Sequence, residues 1–344
     1  MGSGQQHTAL RGEENGVPAM GSTMKAIVQD GYGSAEVLRL ARIAPPQAGS
    51  GEVVLRVRAA GLDRGSWHMM TGRPYALRPA VGLRGPRNPV AGLDVAGTVE
   101  VAGPGVTRFS AGDEVFGWAR GSFAEYAVAR VDRLARKPAN VTFAQAAVVP
   151  VSGVTALQAL TDIGHVQKGQ QVLVTGASGG VGSYAVQLAA GFGAEVTGVC
   201  SAAKAGLVRS LGAARTIDYA RDDFADGPLR YDLIIDIAGN PSLTRLRRAL
   251  APAGTAVIVG GEDSGNWTGM SRQLQALARS PFLRQRLTMC ICKQRSSDLD
   301  RLADLIEAGR VTPSIGATYP LDQVPDAMRY LQAGQARGKI AITT

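Results

Sequence analysis

Thr175-Gly-Ala-Ser-Gly-Gly-Val-Gly182 is the stretch on which the fold turns. It follows a short apolar run, Gln171-Val-Leu-Val-Thr175, and precedes a segment, Val181 to Ala190, whose helical spacing stops at Gly191. A glycine-rich turn between a strand and a helix is the setting in which G-x-G-x-x-G carries meaning. The three pattern positions fall on Ala177, Gly179 and Gly182, so alanine stands for the first glycine. Gly179 and Gly180 let the backbone approach a pyrophosphate, and Gly182 lets the helix lie against its strand. The free N–H groups and dipole of the first helical turn, around Ser178 to Val181, favour an anion. The alternative is a tight turn with no ligand; four glycines in one strand–turn–helix unit argue against it.

Working outward toward the C-terminus, strands and helices alternate. Glu195 to Cys200 is a second strand, followed by a helix through Val208 and Leu211 and a third strand at Thr216-Ile-Asp218. Asp232 to Ile237, a helix to Leu250, and Thr255 to Val259 continue the rhythm. Apolar strands without alternation are buried on both faces, which predicts an α/β fold with a doubly wound parallel sheet of Rossmann type. Toward the N-terminus, from Met24 to about Pro138, short β-rich runs such as Glu52 to Ala59 and Val95 to Ala102 are broken by Gly, Pro and Asp. That spacing predicts a small barrel or sandwich. Arg73 to Pro89 reads as a long surface loop. The end of the chain has a helix from Leu299 to Ala308 and closes on Gly338-Lys-Ile-Ala-Ile-Thr343; local pattern leaves open which domain it joins.

Composition narrows the function classes. The net charge is +9, from 37 basic and 28 acidic residues among 344, and the basic ones are scattered. No basic arm or basic–aromatic interleaving is present, so nucleic acid is not the expected partner. A small-molecule substrate and an anionic cofactor fit better. No apolar run is long enough to span a membrane. Residues 1–23 are polar and Gly-rich and read as a disordered extension, and a cytoplasmic location is expected. Cys200, Cys290 and Cys292 form no disulfide or metal framework; Cys290 and Cys292 alternate along an expected strand as small hydrophobes.

The second strand bears on the cofactor. NAD-binding sheets carry a carboxylate there for the ribose 2′-hydroxyl. Here the strand ends on Cys200-Ser-Ala-Ala-Lys204, with no carboxylate. Ser201 and Lys204 would hold a 2′-phosphate, which points to NADPH; Lys204 also reads as a solvated first-turn lysine. Tyr219 reads either as an adenosine contact or as a half-buried edge residue.

Several stretches together resemble the medium-chain dehydrogenase/reductase family. They are Gly92 to Val106 with Phe109 to Val115, Gly121-Ser-Phe-Ala-Glu-Tyr126, Val151 to Ala156, Thr175 to Gly182, and Ala336-Arg-Gly-Lys-Ile340, the last three similar to its quinone-oxidoreductase branch. The resemblance runs from Met24 to the end. It implies a GroES-like β-barrel catalytic domain (24–145 and 288–344), a Rossmann domain (146–287), a ligand cleft between them and a homodimer. Zinc relatives carry metal ligands at positions that hold Asp63, Leu93 and Val151 here, and Leu and Val cannot coordinate zinc. No metal residue is therefore expected. Zinc-free members reduce quinones or C=C bonds conjugated to a carbonyl by hydride transfer. The segment Asp63 to His68 should border the nicotinamide, although the branch has Asn where this chain has Asp63 and Asp where it has Ser66. Asp63, His68 and Tyr75 are the catalytic candidates; His68 also reads as a packing residue. Thr155 at the junction, Gly239 and Gly260 after the fourth and fifth strands, and Lys339 in the closing strand are further cofactor contacts. Trp267, in the segment from Glu262 to Pro281, belongs to a substrate wall or a dimer element. A cofactor-binding protein with little turnover, acting as a regulatory or structural partner, is the rival reading.

Overall fold

The computed structural model describes residues 22–260, 269–334, 336 and 338–344. Residues 1–21 of the expected extension and Trp267 lie outside the described residues; of the segment from Glu262 to Pro281, the described part contains the helix Ser271–Arg279.

The N-terminal half is antiparallel. β1 (Met24–Val28) pairs with β2 (Arg39–Ile43). β3 (Glu52–Leu62), β4 (Asp94–Ala102), β5 (Glu114–Trp118), β6 (Tyr126–Arg130) and β7 (Leu134–Arg136) build the larger sheet. β3 is its hub, flanked by β4 and β6. Val53, Leu55 and Val57 point inward with Val95, Val99 and Val115, while Val54, Ala60 and Leu62 are buried as well, so β3 is covered on both faces along much of its length.

The middle of the chain is parallel. β8 (Gln171–Thr175), β9 (Glu195–Cys200), β10 (Arg215–Asp218), β11 (Tyr231–Asp236), β12 (Leu250–Ile258) and β13 (Arg286–Met289) lie in the order β10-β9-β8-β11-β12-β13. Leu173, Val174, Ile234, Ile235 and Val257 are fully buried, as the continuous apolar runs predicted. The order reverses between β8 and β11. The carboxyl ends of strands at such a switch point are where open α/β sheets bind ligands.

β14 (Ile315–Pro320) and β15 (Lys339–Thr343) answer the question left open by the tail: β15 pairs antiparallel with β3, and β14 runs parallel beside it. One hydrophobic cluster runs from Phe116 and Trp118 of the barrel through Val154 and Leu157 to Val172 and Val174 of the sheet. The two domains therefore share a core at the back of the cleft.

Three expectations are corrected. The Rossmann sheet continues to Met289, beyond the boundary at 287, and the helix Ser296–Glu307 buries Leu299, Leu302 and Ile306 in the shared core. Cys290 and Cys292 are not on a strand. The Gln158 amide donates to the Lys293 carbonyl at 2.8 Å and accepts from the Lys293 N–H at 2.9 Å, drawing the chain off the sheet. Residues 73–89 are not all loop: they contain a 3-10 turn, Tyr75–Leu77, and a short helix, Arg78–Val81. Arg78 is held between the rings of Tyr32 and Tyr75, at 4.7 and 4.5 Å.

Candidate active site in the interdomain cleft

The glycine loop closes the end of β8. The helix Gly180–Gly191 starts on Gly179, which supplies no side-chain cap, so first-turn N–H groups face outward for a ligand. A Cβ at Gly182 would stand 2.1 Å from the Gly176 carbonyl oxygen, so this glycine serves the packing of helix on loop. A Cβ at Gly179 would meet nothing nearer than that same oxygen at 3.3 Å. Gly179 has φ −83°, a backbone any residue adopts, so its missing side chain leaves room on the cleft side. Alanine at the first pattern position is accommodated by Gly198 opposite, where a Cβ would come within 3.0 Å of the Ala177 Cβ.

Behind the loop, Thr175 ties the switch point together. Its hydroxyl donates to Asp236 at 3.0 Å and accepts from the N–H groups of Ile237 and Ala238 at 2.9 and 3.2 Å. Asp236 is fully buried; burial raises its carboxyl above the usual range, and the Arg272 guanidinium opposes the rise. Arg272 also donates to the carbonyls of Pro241 and Gly260. This network holds the ends of β8, β11 and β12 in register.

Two cavities meet at the loop. One, about 410 Å³, is lined by Ser178, Ser201, Lys204, Tyr219, Gly239 and Arg245 among others. The other, about 320 Å³, is lined by Asp63, Ser152, Gly179, Gly180, Val181 and Lys339. Ser178 and Lys204 face both. The Lys204 ammonium donates to the Ala336 carbonyl at 3.0 Å, spanning from the Rossmann domain to the segment before β15. Tyr219 is 64% exposed and follows β10. A third cavity, about 320 Å³ and mostly apolar, takes in Ser66, Met69, Leu93, Gly121, Phe123 and Gln294.

Other sequence candidates stand elsewhere. Gly260 and Thr155 line none of these cavities. The Gly260 carbonyl is engaged by Arg272 and Gln273. Thr155 lies inside the helix Pro150–Gln158, its hydroxyl donating to the Val151 carbonyl at 2.6 Å. His68 places Nδ1 2.7 Å from the Arg73 carbonyl oxygen and sets its ring edge-on to Trp67. Tyr75 stacks on Arg78. The helix Arg64–Thr71 thus turns His68 toward the 73–78 loop, and of the three catalytic candidates only Asp63 lines the cleft.

Asp63 is 7% exposed and caps that helix, its Oδ1 accepting from the Ser66 N–H at 2.9 Å. Its Oδ2 is 3.7 Å from the Lys339 ammonium, which donates to the Ser152 hydroxyl at 3.0 Å. Beneath them is Asp94, fully buried, accepting from the Val151 N–H at 3.1 Å. Burial pushes its carboxyl well above the ordinary range; Asp63 adds to the rise and Lys339 opposes it. Sequence reasoning missed Asp94, Ser152 and Arg245. A lone carboxylate inside the apolar run Leu93 to Ala96 was the available signal for Asp94. Arg245 pairs with Asp223 at 2.7 Å and covers the Phe224 ring at 4.6 Å.

Residues 49–139 match the family described as alcohol dehydrogenase GroES-like domain, and residues 211–342 the family described as zinc-binding dehydrogenase. The chain is 32% identical to a chloroplast envelope quinone oxidoreductase homolog of Arabidopsis thaliana, over 94% of this chain and 99% of that one. It is 32% identical to a 2-methylene-furan-3-one reductase of Solanum lycopersicum, over 93% of this chain and 79% of that one. Among solved structures, a mycobacterial protein complexed with NADPH superposes with a TM-score of 0.80 at 28% identity, over 93% of this chain and 100% of that one. A GroES-like barrel joined to a Rossmann sheet, with a glycine-rich loop lining the cleft, defines an oxidoreductase that uses a nicotinamide cofactor. The chain belongs to the medium-chain dehydrogenase/reductase family, in its quinone-oxidoreductase-like branch.

Proposed function

We propose that this protein uses NADPH to reduce quinones or C=C bonds conjugated to a carbonyl, without zinc. The observation that carries the proposal is the pair of cavities that share Gly176 and Ser178 of the glycine loop, with the apolar cavity around Leu93 beside them. Preference for NADPH is supported by Ser201 and Lys204 lining the larger cavity, at a strand end that bears no carboxylate. The loop N–H groups would take the pyrophosphate, Tyr219, Gly239 and Arg245 the adenosine, and Asp63 and Lys339 the part nearer the barrel. Gly260 and Thr155 act from behind the cavity walls in this reading. When bound, the nicotinamide supplies the hydride.

The chain's own residues supply orientation and a dry site. Leu93 and Val151 have no donor atoms, so the positions that bind zinc in relatives contribute apolar wall instead. Leu93, Met69 and Phe123 line the neighbouring cavity and exclude water from an apolar substrate. Asp63 lines the adjoining cleft together with Arg64 and Lys339. His68 and Tyr75, turned toward the 73–78 loop, are the weaker proton-donor candidates.

A homodimer is part of the proposal. β13 is one of the sheet's two edge strands, and Phe282 and Ile291 on either side of it are 87% and 63% exposed. Light scattering of the purified chain tests it. A cytosolic location accords with three unpaired cysteines, and no helix among the described residues is long and apolar enough to cross a membrane. The functional test is oxidation of NADPH and NADH with a panel of quinones and α,β-unsaturated ketones. NADPH-preferring turnover is expected; tight NADPH binding with no turnover on any of them would favour the non-catalytic reading.

A further inference from the structure

Three ionisable side chains meet at the floor of the cleft with little exposure to water. Asp63 and Lys339 are 7% and 2% exposed, and Asp94 is fully buried. Asp94 lies opposite Gly61 in the β3–β4 ladder, and a Cβ at Gly61 would crowd the Asp94 Cβ at 3.0 Å. The missing side chain of Gly61 thus makes room for Asp94 and for the Ala147 carbonyl. Asp63 Oδ2 accepts no hydrogen bond from any N–H or hydroxyl of the described residues. The neighbouring Asp94 carboxyl interacts with the Asp63 carboxyl, and each raises the cost of a second negative charge there. Two carboxylates accept only, so such a contact needs a proton between them. With one shared proton the pair carries a single negative charge, which the one ammonium of Lys339 balances.

We propose that Asp94 is a positioning residue: it shares one proton with Asp63, and the single charge of the pair holds the Lys339 ammonium beside the phosphate loop. A Cβ at Gly180 would touch the Lys339 Cδ at 3.0 Å, so the lysine stem runs along the loop itself. The proposal rests on the reading that this loop binds the dinucleotide. Other groups facing Asp94 are the Val151 N–H, the Tyr184 hydroxyl, which donates to the Val148 carbonyl, and the Cys292 thiol. The thiol and phenol are neutral across the working range, so proton loss from the pair leaves a second negative charge with no cation to meet it. Incoming phosphates then face a net anion, and cofactor affinity falls as pH rises.

Infrared difference spectroscopy of the cofactor-free protein at neutral pH tests the proton directly. The wild type shows a protonated-carboxyl C=O band, and Asp94→Asn removes it. NADPH titration by fluorescence across pH tests the positioning. In the wild type the Kd rises with pH above the pair's titration, by at most about tenfold per pH unit for one linked proton. Asp94→Asn flattens that slope, because its amide donates to Asp63 at every pH. Asp63→Asn flattens it too, which keeps the test usable if either variant folds poorly. A wild type without the band, or either variant keeping the wild-type slope, overturns the proposal. A band with no NADPH binding at any pH would overturn the cofactor reading and, with it, the role assigned to Lys339, while the shared proton stands.

Discussion

Replacing Gly179 by alanine separates what the glycine loop does for the fold from what it does for a ligand. In the structure the new methyl meets only the Gly176 carbonyl oxygen, at 3.3 Å, and the backbone at Gly179 is extended. The folded state loses little, and the unfolded chain loses freedom, so stability should change by no more than about 1 kcal/mol. The methyl projects into the space that a pyrophosphate must enter. Pushing the phosphate away loses one charge-assisted N–H hydrogen bond, about 1.5–3 kcal/mol. That corresponds to roughly a ten- to hundredfold rise in the NADPH Kd. Gly182→Ala is the control with the opposite signature: its methyl would lie 2.1 Å from a backbone oxygen, so the melting temperature should fall. Fluorescence titration and thermal melting of both variants make the comparison. A Gly179→Ala protein that binds NADPH as the wild type does would refute the assignment of the loop. One that melts several degrees lower would show that the glycine is there for the fold.

Lys204→Ala should weaken NADPH binding about tenfold and leave NADH nearly unchanged, as expected for one lost charge-assisted contact to a 2′-phosphate; equal weakening of both would assign Lys204 to bridging Ala336 alone. Arg272→Met leaves the buried Asp236 carboxylate without its cation, and denaturant unfolding should show a loss of about 3 kcal/mol or more; a loss under about 1 kcal/mol would mean the pair is not stabilising the switch point. Asp94 holds its proton in the native state at pH values where the unfolded chain has released it, because its carboxyl is raised on folding. Its contribution to stability is therefore complete below the ordinary Asp range, about pH 3.9, and is lost as pH rises toward the raised native value. Asp94→Asn should gain on the wild type in melting temperature as pH increases over that window, and a difference independent of pH would contradict the assignment.

The fold was readable because its signals are local. Gln171 to Thr175, the glycine loop and the apolar strands around Ile234 and Val257 each announce their environment within a few residues, and burial on both faces then implies a parallel sheet covered by helices. That Ser201, Lys204 and Tyr219 share one cavity was readable for the same reason, since they follow directly on strands that end at the cleft. The barrel side was not. His68 and Tyr75 lie close in sequence to Asp63, but the Arg64–Thr71 helix and the Arg78 stack turn them away, and no periodicity encodes that turn. Asp94 meets Asp63 and Lys339 only through the pairing of β3 with β4 and β15, contacts between segments far apart in the chain. Cys290 and Cys292 looked like strand residues until a distant amide, that of Gln158, took the backbone at Lys293.

The central claim is that the cleft carries out NADPH-dependent reduction. It is tested most directly by following loss of reduced-nicotinamide absorbance with a quinone and with an α,β-unsaturated ketone, NADPH against NADH, on protein whose metal content has been measured. The account predicts turnover that prefers NADPH, falls in Gly179→Ala, and proceeds without stoichiometric zinc. Turnover that requires bound zinc, or that is supported equally by NADH and insensitive to Gly179, would contradict it.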